Sequence, residues 1–385
     1  MQAAVYHEFG GPIRVETMAI PPCPEDGVLI QVQAVGICRS DWHGWKGHDS
    51  DIVQHGLPFV PGHEVCGMIV EIGKHVRTSS TSTSSGSKFR VGDRVAVPFI
   101  LSCGTCRYCQ HYHQSTVCTA QKQPGFTQYG GLAEYLAVPR AARNLTLVPA
   151  NVTSAQAAAL GCRFTTAYRA VLQQGRLSVP QDTSMAIFGC GGLGLSCIMW
   201  AATTGCKVII AMDVSDTAVQ KAQQLGATHI INTRNMDITT LRQRVEDIVQ
   251  NDGVDVSVEA SGFITACENA IHCTRRGGRM VQVGLLPTPS SSSSSDPHQQ
   301  QHPIIPMNMI AGKEIELIGS HGFAATDLPI LLDLVSRKVI DPAVLIEREV
   351  TLEEGAKAIE DMDHCSPLGI VMVTKFPNKG SQSRL

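Results

Sequence analysis

Apolar positions follow two different rhythms along this chain. Up to about residue 150 they come as short Val-rich runs, such as "GVLIQVQAVG" and "EVCGMIVEIG", broken by Gly and Pro. That is the pattern of strands and turns. From about residue 155 the rhythm changes. "SAQAAALGCRFTTAYRAVLQQ" is helical in composition, and "MAIFGCG", "KVIIAMD", "HIINT", "VDVSVEAS" and "RMVQVGL" then recur as short apolar strands. Helix-like segments such as "SDTAVQKAQQLGA" separate them. Strands alternating with helices predict an α/β domain whose doubly wound parallel sheet is covered on both faces. The final 65 residues return to mixed character.

Two polar tracts interrupt this pattern, "TSSTSTSSGSK" (78–88) and "TPSSSSSSDPHQQQHP" (288–303). Both lack the apolar content to order themselves and read as exposed, mobile loop insertions, and the tail "PNKGSQSRL" reads as free. The uncharged run "MAIFGCGGLGLSCIMWAATTGC" (185–206) has the length of a membrane span. Four glycines in its first ten residues argue instead for strand, tight turn and buried helix, so no membrane partner is expected.

At 385 residues the chain has room for two domains, each with its own core. A formal net charge of −3 with 17% charged residues leaves no electrostatic footprint for nucleic acid. The fourteen cysteines follow no secretory signal, because Glu8 and Glu16 fall where an apolar stretch would be needed. The thiols are therefore expected to stay reduced, and clustered ones to bind metal.

Gly189, Gly191 and Gly194 stand in G-x-G-x-x-G spacing after an apolar strand and at the start of a helix. A second apolar strand ends in Asp213, 19 residues beyond Gly194. That is the context of a dinucleotide site. Gly189 permits the sharp turn, Gly191 lets a pyrophosphate approach the backbone, and Gly194 allows close helix–strand packing. Gly192 completes the loop at the helix N-terminus, whose unpaired N–H groups face the phosphates. Asp213 would accept from a ribose diol and repel a 2′-phosphate. "AMDVSD" adds Asp216 and no Arg or Lys is expected within reach, so NAD is expected over NADP.

"CGTCRYCQHYHQSTVC" presents Cys103, Cys106, Cys109 and Cys118, the spacing of a closed tetrahedral thiolate cage for a structural zinc. His111 and His113 inside that loop read as solvent-facing. "GICRSDWHGWKG" (36–47) gathers Cys38, Ser40, Asp41 and His43, while His63, Glu64 and Cys162 would not stand out by themselves.

Taken together, "GICRSD", "GHEVCGMIVEIG", the four-cysteine lobe, "GCRFTTAYRA", the glycine fingerprint and "GSHGF" resemble the zinc-dependent medium-chain alcohol dehydrogenase family, in its order and through nearly the whole chain. The resemblance implies a mainly β GroES-like catalytic domain at 1–163 with the zinc lobe at about 103–118, a Rossmann NAD-binding domain at 164–319, and a return to the catalytic domain with a free tail at 320–385. It implies two zinc ions per chain. Cys38, His63 and Cys162 would hold the catalytic one, the two-thiolate, one-imidazole set known for alcohol dehydrogenase. Glu64 would be an occasional ligand or stand just beyond the ligands, and Asp41 would fix the tautomer of His63. Ser40 would touch the reacting oxygen and His43 would pass the proton to solvent through the cofactor ribose. Thr166, Val283 and Gly284 would lie against the nicotinamide. One departure is that eight residues separate Cys109 from Cys118, where the family usually has seven.

The implied reaction is reversible hydride transfer between an alcohol and an aldehyde or ketone. Hydride leaves an alcohol carbon readily only when its oxygen is negatively charged. Zinc brings a bound hydroxyl from a pKa of about 15.7 to about 7, a difference on the order of 12 kcal/mol. A polyol or amino-alcohol substrate on the same scaffold is the alternative, and a non-catalytic nucleotide- and zinc-binding protein a further one. Trp42, Trp45 and Phe99 are candidates to line the pocket. The family implies a homodimer or homotetramer. The ending "SRL" resembles the S-K-L address, so a peroxisomal import receptor is an expected partner, with the cytoplasm as the alternative location.

Overall fold

The computed structural model describes residues 1–76, 89–177, 183–286, 302–365 and 367–377. Both Ser-rich tracts and the SRL ending lie largely or wholly outside the described residues. The chain divides into two compact units, Met1–Thr165 with Gly322–Leu385, and Thr166–His321.

The first unit is built on a seven-stranded sheet. Val28–Ile37 and Glu64–Ile72 form its long antiparallel centre, and Arg94–Val97 continues it on one side. Ile370–Lys375 pairs with Val28–Ile37 on the other side and carries Ile346–Thr351 beyond it, so the last strand among the described residues joins the sheet begun by the chain's first third. Val28–Ile37 is buried at eight of its ten residues, and Glu64–Ile72 and Ile370–Lys375 at more than half of theirs, so both faces are largely covered and the apolar runs are nearly continuous.

The second unit holds six parallel strands in the spatial order His229–Asn232, Val208–Asp213, Ser184–Phe188, Val254–Glu259, Thr274–Gln282, Glu316–Gly319. Numbered within the unit this is 3-2-1-4-5-6, the doubly wound order that binds dinucleotides at the carboxyl ends of its central strands. Ala186, Phe188, Ile210, Met212 and Met280 form its core with Leu241, Val245 and Ile271 from the covering helices.

Five strands fall where the apolar runs predict them. The sixth, Glu316–Gly319, carries no such signal because it is an exposed edge. The helical stretch from Ser154 is interrupted, with helices at Ser154–Ala159 and Arg163–Tyr168. Gly161 lies in the break against the backbone of Glu64, where an added Cβ would come within 2.6 Å of the Glu64 Cα. The break leaves Cys162 between the two helices. Among the described residues, no helix is long and apolar enough to cross a membrane. The run 185–206 is instead the strand Ser184–Phe188, a turn and the helix Gly192–Thr203.

Candidate active site

The strand Val28–Ile37 delivers Cys38 to the start of the helix Arg39–Trp45. Asp41, in that helix's first turn, folds its carboxylate back. Its Oδ2 accepts from the Cys38 N–H at 2.8 Å, and its Oδ1 accepts from the Gly62 N–H at 3.0 Å and from His63 Nδ1 at 2.9 Å. Asp41 is 2% exposed and His63 0%. With its proton committed to Asp41 at Nδ1, His63 keeps its lone pair on Nε2, which is buried without a hydrogen-bond partner. A buried acceptor left bare is costly. A cation is the group that satisfies it, and the Asp–His arrangement is the one that orients a metal-binding imidazole.

Cys38, His63, Glu64 and Cys162 each bring a ligand atom to within 4.8 Å of the others. A hydrogen bond from Cys162 pulls the Cys38 thiol well below its usual pKa, with Arg163 and His63 adding to the effect despite burial. The same bond and burial push Cys162 up. Burial opposes charge on His63, but Asp41 and Cys38 outweigh it and raise the ring well above the ordinary imidazole value, so the site favours a positive charge at Nε2, which a metal ion would supply in place of a second proton. Two sulfurs and one bare imidazole nitrogen fit zinc.

Arg163 was not singled out from the sequence, where its only signal is its place after Cys162. It clamps Glu64 from two nitrogens, Nε to Oε1 at 2.9 Å and Nη2 to Oε2 at 2.7 Å, and also donates to the Ile37 carbonyl at 2.7 Å. Burial raises the pKa of Glu64 while Arg163 counters it. In this arrangement the Glu64 carboxylate belongs to Arg163 as much as to the ligand cluster.

Ser40 Oγ lies 3.9 Å from Cys38 Sγ. His43, on the same helix, is half-buried, and burial followed by Arg39 and His48 lowers its pKa to about 4. Of the pocket candidates, Phe99 is buried and stands edge-on to His63 at 6.0 Å. Trp45 is core, its Nε1 donating to the Gly11 carbonyl at 2.6 Å. Trp42 lies under Arg39 with its Nε1 donating to Asp363 at 2.7 Å.

Cys103, Cys106, Cys109 and Cys118 also converge within 4.8 Å, so the eight-residue spacing is absorbed without separating the sulfurs. None is in a disulfide. Cys103 Sγ accepts from the N–H groups of Thr105 and Cys106, both at 3.3 Å, and Cys118 Sγ from the N–H of Cys103 at 3.3 Å. Despite some desolvation, the donors around Cys103 bring its thiol down to about 5, and backbone donation lowers Cys106 to about 7. Desolvation raises Cys109 and Cys118, so a bound metal would be what deprotonates those two. His111 and His113 are exposed.

In the second unit, Gly189 has φ +94° and an added Cβ would meet that of Ser261 at 2.5 Å. A Cβ on Gly194 would collide with the Gly189 carbonyl oxygen, whereas one on Gly191 meets nothing within 4 Å. The open side at Gly191 and the helix beginning at Gly192 form a cradle suited to a pyrophosphate. Asp213 accepts from the Cys190 N–H at 2.7 Å and the Ser215 N–H at 2.9 Å. Thr166 Oγ1 is buried without a hydrogen-bond partner. The N–H groups of Val283 and Gly284 both donate to the Glu259 carbonyl at 3.0 Å. Glu259, missed in the sequence, also binds the Gly262 N–H at 2.9 Å and Gln282 Nε2 at 2.6 Å through its buried carboxylate. It thereby orders both loops at this end of the sheet.

One expectation is corrected. A cation does reach the Asp213 turn: Arg234, from the loop after the neighbouring strand, donates through Nε to the Val214 carbonyl at 3.1 Å. Its distance in sequence hid it.

Residues 24–150 match the alcohol dehydrogenase GroES-like domain model, and residues 192–337 the zinc-binding dehydrogenase model. A sorbitol dehydrogenase of Bacillus subtilis is 31% identical over 94% of this chain and 93% of its own. The chain belongs to the zinc-dependent medium-chain dehydrogenase family. An alcohol dehydrogenase of Geobacillus stearothermophilus is 34% identical over 74% of this chain and 78% of its own. Among solved structures, a zinc-binding dehydrogenase of Sinorhizobium meliloti bound to NADP superposes with a TM-score of 0.80 at 25% identity, over 97% of this chain and 99% of the other. This dehydrogenase is an oxidoreductase acting on the CH–OH groups of alcohols or polyols, and its chemistry uses zinc and a nicotinamide cofactor. The non-catalytic alternative falls with that membership.

Proposed function

We propose that the dehydrogenase oxidises an alcohol with NAD through a zinc ion held by Cys38, His63 and Cys162, a second zinc in the four-cysteine lobe being structural. The observation that carries this reading is the bare, buried Nε2 of His63 among two sulfurs. When bound, the zinc acidifies the alcohol hydroxyl and the nicotinamide accepts the hydride.

The chain's own residues do the remaining work. Asp41 holds His63 and the Cys38 backbone together, so two ligands move as one piece. Arg163 ties up the Glu64 carboxylate, which keeps a third negative charge from crowding the two thiolates. Ser40, beside Cys38, receives the hydroxyl proton and His43 relays it outward. An imidazole of ordinary pKa about 6.5 cannot deprotonate a free alcohol at useful levels, so His43 would relay a proton rather than abstract it. Gly189, Gly191, Gly192 and Gly194 seat the pyrophosphate, Asp213 the adenosine ribose, and Thr166, Val283 and Gly284 the nicotinamide.

NAD is favoured because Asp213 presents a carboxylate to the ribose, although Arg234 nearby narrows the margin against NADP. A polyol is the second reading, supported by the Bacillus subtilis sorbitol dehydrogenase. Measuring cofactor reduction across primary, secondary and polyhydric alcohols, with NAD and with NADP, tests both. Turnover of none of them, or equal use of the two cofactors, contradicts the corresponding part. A homo-oligomer is supported by the exposed edge strand Glu316–Gly319, where Leu317 is 44% exposed. Peroxisomal import through Ser383, Arg384 and Leu385 remains part of the proposal, with the cytoplasm as the alternative. Retained import after their deletion contradicts it.

A further inference from the structure

We propose that His48 is the outer station of the proton exit, taking the proton that leaves His43 and releasing it to water. The inference rests on the reading of His43 as the inner relay. His43 Nδ1 and His48 Nδ1 are 3.3 Å apart, within hydrogen-bond reach. The two residues are joined by a tight turn in which the His48 N–H donates to the His43 carbonyl at 2.9 Å and Gly47 takes φ +74°. Trp42 stands edge-on to both rings, at 4.9 Å from His43 and 5.4 Å from His48, and holds them in register. His43 is half-buried and His48 exposed, so the pair runs from the protein interior to solvent.

The surrounding charges favour transit over storage. Arg39 and Lys46 lie on the same helix and turn. Asp363, which follows the helix Leu352–Asp361, binds Lys46 at 3.0 Å and Trp42 Nε1 at 2.7 Å, and Cys38 is the remaining charged neighbour. Burial, Arg39 and His48 together disfavour a charged His43. Burial, Lys46 and Arg39 lower His48 against the pull of Asp363. Both shifts disfavour a second proton on either ring, so a proton entering at one side is passed on from the other.

The contact requires one nitrogen to donate and the other to accept. We assign the proton to His43 Nδ1 and the lone pair to His48 Nδ1. A proton arriving at His43 Nε2 then forms an N–H bond there as the Nδ1–H bond of His43 breaks toward His48 Nδ1. The Nε2–H bond of His48 breaks toward water. One proton enters, one leaves, and no electrons move. Exchange with water, in which each ring gains a proton at one nitrogen and loses one from the other, restores the starting tautomers.

The test compares wild type, His48→Gln, His43→Gln and the double variant as holoenzymes in stopped flow. Cofactor reduction and indicator-dye proton release are recorded near pH 7 at low buffer. His48→Gln is expected to slow proton release by about threefold to tenfold, with recovery on adding imidazole buffer. Stations in series also require the double variant to be no slower than His43→Gln alone. Wild-type proton release in His48→Gln beside a slow His43→Gln would overturn the role of His48 and leave that of His43 standing. So would additive losses in the double variant. Wild-type behaviour of both single variants would overturn the two together.

Discussion

Replacing Asp41 by Asn removes one charge and reverses one hydrogen bond while leaving the shape of the site intact. The carboxylate serves three donors: the N–H groups of Cys38 and Gly62, and Nδ1 of His63. An amide can keep its oxygen toward Gly62 and His63 only by turning its NH2 toward the Cys38 N–H, donor against donor. The lost charged bond and the stranded buried N–H together cost about 2–4 kcal/mol of stability. The His63 ring also loses its charged anchor, and loss of such a partner weakens metal binding by about 10- to 100-fold. That is about 1.4–2.7 kcal/mol. The assay is titration of the purified protein with a chromogenic zinc chelator. The four-cysteine lobe is the internal control, because Asp41 bonds to none of its residues. The expected result is two zinc ions in wild type with two affinities, of which Asp41→Asn weakens one alone. Unchanged affinities at both sites, or equal weakening at both, would refute the argument that Asp41 acts through His63.

Three further outcomes are expected. Asp213→Gly should raise the kcat/KM ratio for NADP over NAD by about tenfold or more, because Arg234 is already placed, and adding Arg234→Ala should reverse most of that gain; one good charged contact corresponds to about 1.5–3 kcal/mol. Cys109→Ala should release the lobe's zinc and lower the unfolding temperature while the second zinc stays bound, as metal analysis and calorimetry would show. His43 has a folded pKa of about 4 against an ordinary 6.5, so it binds fewer protons folded than unfolded. Its contribution therefore turns destabilising as pH falls below 6.5, by about 2 kcal/mol at pH 5. His43→Gln should accordingly lose less stability than wild type between pH 7 and pH 5 in denaturant titrations.

The parts legible in the sequence were those set by local chemistry. Gly189 and Gly194 announce their roles because each is a position where a Cβ would meet backbone or a neighbouring side chain, and a strand and helix flank them. The four cysteines of the lobe lie close enough in sequence to be read as one site. Cys38, His63 and Cys162 became a set only through family resemblance, because strands and helices separate them and only tertiary folding brings them together. Arg163, Glu259 and Arg234 were missed for a related reason. Each acts on a residue reached through the fold, Glu64, Gln282 and Val214 respectively, and charge alone marks none of them as special. The edge strand Glu316–Gly319 escaped because exposure removes the apolar signal by which strands are found.

The central claim is a zinc ion shared by Cys38, His63 and Cys162. An anomalous difference map from crystals of the metal-replete protein, recorded at the zinc absorption edge, tests it most directly. The account predicts a peak bonded to Cys38 Sγ, His63 Nε2 and Cys162 Sγ, and a second within the four-cysteine lobe. A metal-replete crystal with density only in the lobe, or a peak that His63 Nε2 does not touch, would contradict it.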